Sequence, residues 1–586
     1  MKKHWRIWSI LAVAAMLMTG LGIPAISAQD SAPTREETFK VAVNAQNDDP
    51  TNLNFYGTAS RSNTGLHQVV YEYLFYNNLQ TGEFTPWLAT GYEYNDDSSA
   101  LTVHLRDGVT WSDGEPFTSD DIKFTYDLLR ANPDMLWASE ANGAVASIDT
   151  PDPLTAVFNL TTPNPHFHLY REAFPAVQIW GGLTILPKHI WEKEADPLAF
   201  KNSDPIGTGP YVLDTASQNG ITYKLNPDYW GTKVFGENPS RPKEVDFVYL
   251  GDEQTAALAL ANNDVDVTVN GILSAGTFQQ VAAQNPNITA WTGALPYAWA
   301  DPCPRALMIQ NGRAPFDNPD VRWAISYLID RDAIVQLAYE GITVPAEGIW
   351  PNYDAITPYM DSVQDLYAEH PVTYDPDKAA ELFAKAGVDP KDITLNYTVS
   401  SDDQEDMKVS QVLADQLRAA GITVNIQQMT SAAREPLLLK GDYDISFQAF
   451  CPGYIAENLD LFNDKNYVPL GENAPWYERN SFRYNNPEFS AIVDQMMATS
   501  PDDQETMIKL FQQAMAIWLP DLPVIPIVQA PALVPFNSTY WTNWPSADNA
   551  WNMPVSWWAN LNLVLGGFPN QETGEWINGI QPVAGS

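Results

Sequence analysis

Residues 244–270 read EVDFVYLGDEQTAALALANNDVDVTVN, and this stretch decides the fold class. Val245, Phe247 and Tyr249 fall on one face of an extended segment spanning 244–251. An Ala/Leu-rich helix over 252–262 follows, and 264–270 is extended again. Strand, helix and strand in that order form a βαβ unit, whose crossover makes the two strands parallel.

The same succession returns downstream. A strand at 393–399, a helix around 409–417 and a strand at 422–428 form a second βαβ unit, with a further strand at 444–450. Two such units imply two parallel sheets, hence two α/β lobes. Ligands of such sheets bind beyond the carboxyl ends of the strands, here Asn270-Gly271 in one lobe and the stretch from Cys451 to Tyr454 in the other. Both are expected to face a common cleft.

Outward from these units, residues 39–44 open the fold as a strand, and 71–205 read as a small α+β unit. Within it a strand at 102–105 is followed by turn dipeptides Asp107-Gly108 and Asp113-Gly114. A helix capped by Ser119 or Asp120 then carries Ile122, Phe124, Tyr126 and Leu129. Asn318-Pro319 and Asp375-Pro376 each start a helix, and the second stops at Gly387. Short apolar segments at 524–528 and 533–536 lead to a C-terminal part that completes the first lobe. The expected organisation is a signal peptide (1–28), a discontinuous lobe I (29–68, 206–299 and 528–586), a subdomain of lobe I (69–205) and lobe II (300–527). Strands crossing between the lobes allow closure on a ligand.

A chain of 586 residues is too long for one hydrophobic core. Its net charge of −40 argues against nucleic acid and anionic membranes, both of which demand basic patches. Lys2, Lys3 and Arg6, the apolar run 10–18 and the small residues Ala25, Ser27 and Ala28 form a signal peptide, cleaved near Ser27 or Ala28. No cysteine follows the run, so the expectation is an exported, periplasmic or extracellular protein, soluble and not a lipoprotein. In that oxidising compartment Cys303 and Cys451 are expected to pair, two separate buried thiols being the alternative. The seven histidines are scattered. His166-Phe167-His168, in a Pro-rich turn, reads as a surface loop, and no metal or cofactor is expected.

Residues 540–558, YWTNWPSADNAWNMPVSWW, hold five of the twenty tryptophans. Pro545 and Pro554 interrupt any regular element, so the run reads as an ordered loop. Rings beside amides suit a ligand with apolar faces and hydroxyls; packing of the C-terminal segment onto the body is the rival reading.

Several motifs carry a resemblance. They include Tyr71-Glu72-Tyr73-Leu74, Pro86-Trp87-Leu88-Ala89, Leu105-Arg106-Asp107-Gly108-Val109 and Trp111-Ser112-Asp113-Gly114-Glu115-Pro116-Phe117-Thr118. Further on come Pro205-Ile206-Gly207-Thr208-Gly209-Pro210-Tyr211, Asn226-Pro227-Asp228-Tyr229-Trp230-Gly231, Val321-Arg322-Trp323-Ala324-Ile325 and Gly441-Asp442-Tyr443-Asp444. In this order they resemble the family 5 extracellular solute-binding proteins, receptors of ABC importers for oligopeptides, dipeptides, nickel and oligosaccharides. The resemblance implies a two-lobed periplasmic-binding-protein-like α/β fold (type II, cluster C), with the small α+β subdomain in the first lobe. It also implies a monomer that binds a small molecule, serves ABC permease transmembrane subunits and has no enzymatic activity. Read from the residues, Gly207-Thr208-Gly209-Pro210 is a tight turn whose glycines supply positive φ. Trp111, Trp230 and Trp323 read as core.

Peptide receptors of this family resemble one another in an aspartate after the strand that 444–450 occupies here; this chain has Cys451 to Ala456 instead, with Glu457 next. Trp541-Thr542-Asn543-Trp544-Pro545 with Asp548-Asn549 is similar to the branch that takes up β-linked sugars such as cello-oligosaccharides. The expected ligand is therefore an oligosaccharide. Its expected contacts are Trp541, Trp544, Trp551, Tyr297 and Trp299, then Asn543, Asn549, Tyr454 and Trp476. An oligopeptide receptor of the same fold is the alternative, and an exported glycoside hydrolase a distant one.

Overall fold

The computed structural model describes residues 33–584 except 47, 58–63, 178–180, 237–240, 270, 452–453, 476–478, 555–558 and 572. The expected signal peptide, Asn270 and Trp476 lie outside the described residues. Two mixed sheets dominate. The first has seven strands in the order Ile288–Thr289, Phe536–Asn537, Val267–Thr268, Thr38–Val43, Glu244–Tyr249, Gly220–Leu225 and Tyr211–Ser217. Both strands of the opening βαβ unit run parallel to Thr38–Val43, which lies between them. The helix Glu253–Ala261 links them, with Asp252 as N-cap accepting from the Thr255 N–H. The flanking strands are antiparallel, so the sheet is only parallel at its centre.

The second sheet orders Thr423–Met429, Thr394–Ser400, Ile445–Ala449, Trp299–Ile309 and Val524–Ala532. Its βαβ unit is parallel in register from Thr394↔Thr423 to Ser400↔Met429, around the helix Gln404–Ala419. The long strand Trp299–Ile309 pairs antiparallel with both of its neighbours. The expected caps are found: Asn318 accepts from Asp320 N–H, Asp375 from Lys378 N–H, and Gly387 ends its helix at φ 69°. The helix Ser119–Ala131 begins one residue earlier than expected, with Thr118 and Asp121 in a capping box. A third unit holds this helix over the four-stranded antiparallel sheet formed by Ala89–Tyr94, Ala100–Leu105, Thr155–Leu160 and Val145–Asp152.

The quoted motifs converge on one buried carboxylate. Glu72 is 3% exposed. Its Oε1 accepts from Trp87 Nε1 at 2.8 Å, Tyr229 Oη at 2.6 Å and Asn562 Nδ2 at 3.0 Å; its Oε2 accepts from Trp230 Nε1 at 2.9 Å. Burial pushes the Glu72 carboxyl up, against the pull of these donors. Three motifs far apart in sequence are thereby tied to the C-terminal helix Leu561–Gly566. In the other sheet's body the buried Arg322 donates to the Phe316, Asp521 and Leu522 carbonyls, which fixes the motif containing it.

Gly108 and Gly114 take the positive φ of their turns, 80° and 93°. Gly207 and Gly209 do not; their glycines are needed for another reason. A Cβ there would stand 2.0 Å and 2.4 Å from the Val70 and Val69 carbonyl oxygens. Trp111, Trp230 and Trp323 are core, as expected.

Replacing Glu72 by Ala strands three buried donors, those of Trp87, Tyr229 and Asn562, each worth about 1–3 kcal/mol when unsatisfied, while Trp230 Nε1 keeps the Thr208 carbonyl at 3.0 Å. Glu72→Ala is expected to lose about 3–5 kcal/mol of stability, read as a lowered denaturation midpoint, with Glu72→Gln intermediate. An unchanged midpoint for Glu72→Ala contradicts the hub.

Candidate functional site

A cavity of about 750 Å³ opens between the α+β unit and the body of the five-stranded sheet. One wall is Trp137, Glu140, Leu160, Asn164, Phe167, Tyr170, Arg171 and Glu172; the other is Cys451, Glu457, Leu461, Pro475 and Arg479. The elements explain these positions. Residues 161–173 form the return from strand Thr155–Leu160, with a 3-10 turn at Phe167–Leu169. Cys451 follows the carboxyl end of Ile445–Ala449, and Glu457 lies in the first turn of the helix Ile455–Asp460.

Charge of both signs faces the cavity from both walls. Arg171 Nε is 2.7 Å from Glu172 Oε1, the side chains 21% and 24% exposed. Across from them Arg479 reaches Glu457 Oε1 and Asp460 Oδ2, each at 3.7 Å. Burial works against the Arg479 charge, but Glu457 and Asp460 outweigh it and hold the guanidinium more firmly protonated. Burial, aided by Glu457, pushes the Tyr170 phenol up to about 12. Partly desolvated charges of this kind interact strongly with complementary ligand charges.

Cys303 and Cys451 form a disulfide across 148 residues. It fastens the loop bearing Cys451 to the strand Trp299–Ile309 and so fixes one wall of the cavity. Among the described residues no group of three or more His, Cys, Asp or Glu is arranged to hold a metal ion.

The residues expected at the ligand lie mostly away from this cavity. Trp541, 1% exposed, packs edge-on against Phe39 at 6.2 Å; Trp544, 7% exposed, stacks on Phe536 at 5.0 Å. Both rings seal the C-terminal loop onto the seven-stranded sheet, the packing alternative for a Trp-rich loop. Asn543, Asn549 and Trp551 are brought together, but to one another. Asn549 Nδ2 donates to Asn543 Oδ1, and Trp551 Nε1 to the Asn543 carbonyl. Tyr297 packs on Phe278, and Trp299 stacks on Tyr353 while donating to Gln80 Oε1. None of these seven residues lines the 750 Å³ cavity. Tyr454 stands at its edge, its ring stacked on His166 at 5.0 Å.

Gly271 lines a cavity of about 480 Å³ whose other wall, Arg305, Tyr339 and Glu405, belongs to the body of the five-stranded sheet, separate from the 750 Å³ cavity at Cys451. One further expectation is corrected. His166 and His168 are not on the surface but 0% and 4% exposed. The Pro-rich turn that carries His166 is covered by the other body, which no local pattern signals. Arg171, Glu172 and Arg479 were missed for the same reason: isolated charges carry no periodicity.

The model of the bacterial extracellular solute-binding proteins, family 5, matches residues 83–463. The chain belongs to that family. Its members are binding proteins, not enzymes, that take small ligands to ABC permeases. This solute-binding protein is 29% identical over 450 residues to the glutathione-binding protein of Salmonella paratyphi A, covering 75% of this chain and 80% of that one. The Shigella flexneri counterpart is 26% identical over 452 residues, with the same coverage. A periplasmic oligopeptide-binding protein of Thermotoga maritima superposes with TM-score 0.77 at 22% identity, covering 94% of this chain and 100% of that one. The same Thermotoga protein with bound mannohexaose gives 0.70 at 22% identity and equal coverage. These likenesses establish the two-lobed, type II periplasmic-binding-protein-like α/β fold. Among the described residues no helix is long and apolar enough to cross a membrane.

Replacing both cysteines by serine, or adding reductant, removes a crosslink closing a long loop and is expected to lower stability by about 2–4 kcal/mol. Thermal unfolding with and without reductant measures it; the same melting temperature in both contradicts a structural bridge.

Proposed function

We propose that this protein is an exported, monomeric receptor that captures a short peptide in the 750 Å³ cavity and delivers it to an ABC permease. The observation that carries the reading is the pair of opposed charge sets, Arg171 with Glu172 and Arg479 with Glu457. A peptide brings an ammonium and a carboxylate to such walls, whereas a neutral sugar leaves the charges to be satisfied by hydroxyls alone. Glu457 then stands in for the missing aspartate after the strand. The relatives' ligand, glutathione, is itself a charged peptide. In this reading 29–68, 206–299 and 528–586 with the subdomain 69–205 form one lobe. Residues 300–527 form the other, and the cavity lies in the cleft between them.

Oligosaccharide capture is the second reading. Trp137, Phe167 and Tyr170 offer ring faces to the same cavity, and a protein of this fold holds mannohexaose.

Titration with a pool of di- to tetrapeptides, and separately with manno- and cello-oligosaccharides, separates the two. Peptides are expected to raise the melting temperature and change Trp fluorescence. Arg479→Ala is expected to weaken peptide binding about tenfold or more, or ~1.4 kcal/mol. A response to sugars alone overturns the peptide reading.

A further inference from the structure

The 750 Å³ cavity is bounded at one end by a contact that no catalytic or ligand role accounts for. His166 lies between Asn164 and Phe167, which line one wall; Tyr454 lies between Cys451 and Glu457, which line the other. The imidazole is fully buried, stacked on the Tyr454 ring at 5.0 Å with the planes 10° apart. Its Nε2 is 3.1 Å from the Met496 carbonyl oxygen at the end of the helix Pro487–Ala498. A carbonyl only accepts, so Nε2 carries the proton and donates. The ring therefore joins the α+β unit to two elements of the other body.

We propose that His166 is the positioning residue that shuts the ligand cavity, and that protonation of its ring releases the closure and the ligand in acid. Separating the two walls exposes the imidazole to water, where it takes a second proton near pH 6.5. In the closed arrangement that proton goes onto Nδ1, which is buried and makes no hydrogen bond. Burial holds the His166 pKa below its ordinary value, against the Met496 and Thr499 backbone and the charge of Asp502. The groups around the contact are His168 and Tyr170 on its own segment, Tyr454, Glu457 and Asp460 from the facing helix, Asp502 beyond Met496, and Arg479. His168, itself pushed down to about 3 by burial and by His166, adds no negative charge to hold a second proton. The closed form thus binds fewer protons than the open one. Closure is fully present above about pH 6.5 and is lost as pH falls below it.

The inference rests on the cavity being the ligand site, and two readouts keep the claims apart. In the first, a pool of synthetic tripeptides is titrated into the intact protein, His166→Gln and His166→Phe between pH 7.5 and 5.0. Wild-type affinity is expected to fall about tenfold or more across this range, and that of both variants less than about twofold. In the second, small-angle scattering follows the radius of gyration of the ligand-free proteins over the same range. It is expected to rise on acidification in the wild type and stay constant in His166→Gln, which keeps a donor for Met496 but does not titrate. If no tripeptide binds at pH 7.5, the peptide reading fails while the scattering still decides the closure. Equal acid sensitivity of wild type and His166→Gln, or a radius independent of pH in both, overturns the proposal.

Discussion

Trp299 pairs with Ala532 where the chain passes between its two sheets, and the rest of the molecule is built about that pairing. The chain leaves the seven-stranded sheet after Ile288–Thr289 and enters the five-stranded one at Trp299; it returns after Val524–Ala532 to reach Phe536–Asn537. The outgoing and returning segments are hydrogen-bonded neighbours at the crossing. Two antiparallel strands crossing together are the kind of connection about which two bodies hinge. Trp299 stacked on Tyr353 beside Ala532 and Met553 packs the same place with apolar surface.

A hinge of this kind is only useful if each body moves as a unit, and the buried polar hubs secure that. Glu72 gathers Trp87, Tyr229, Trp230 and Asn562 from three segments; Arg322 gathers the carbonyls that end the helix Gln504–Asp521. Each is a buried, fully hydrogen-bonded group with partners as far as 490 and 200 residues away in sequence, so partial unravelling strands buried polar atoms. The family motifs are concentrated here and not at the cavity. They specify the bodies, while isolated residues such as Arg171 and Arg479 specify what lies between them.

That division explains what was legible in the sequence. Both βαβ units, the caps at Asn318, Asp375 and Gly387, and the core positions of Trp111, Trp230 and Trp323 follow from periodicity and local chemistry. A tryptophan-rich loop is different, because burying rings against a sheet and offering them to a ligand leave the same trace in one chain. Phe39 and Phe536 decide for packing at Trp541 and Trp544, and both are remote in sequence from the loop or hidden in a two-residue strand. Gly207 and Gly209 look like turn glycines in the sequence, but their constraint is the approach of a distant carbonyl. His166 lies in a turn that looks solvent-exposed until the second body covers it.

The central claim is that the cavity with charge of both signs holds a ligand with charge of both signs. Native mass spectrometry of the protein purified without refolding tests it most directly, by weighing and fragmenting whatever leaves when the complex is dissociated. The account predicts peptide fragments with a free amine and a carboxylate, lost from the Arg479→Ala protein. A retained ligand whose fragments are spaced by neutral hexose units contradicts it.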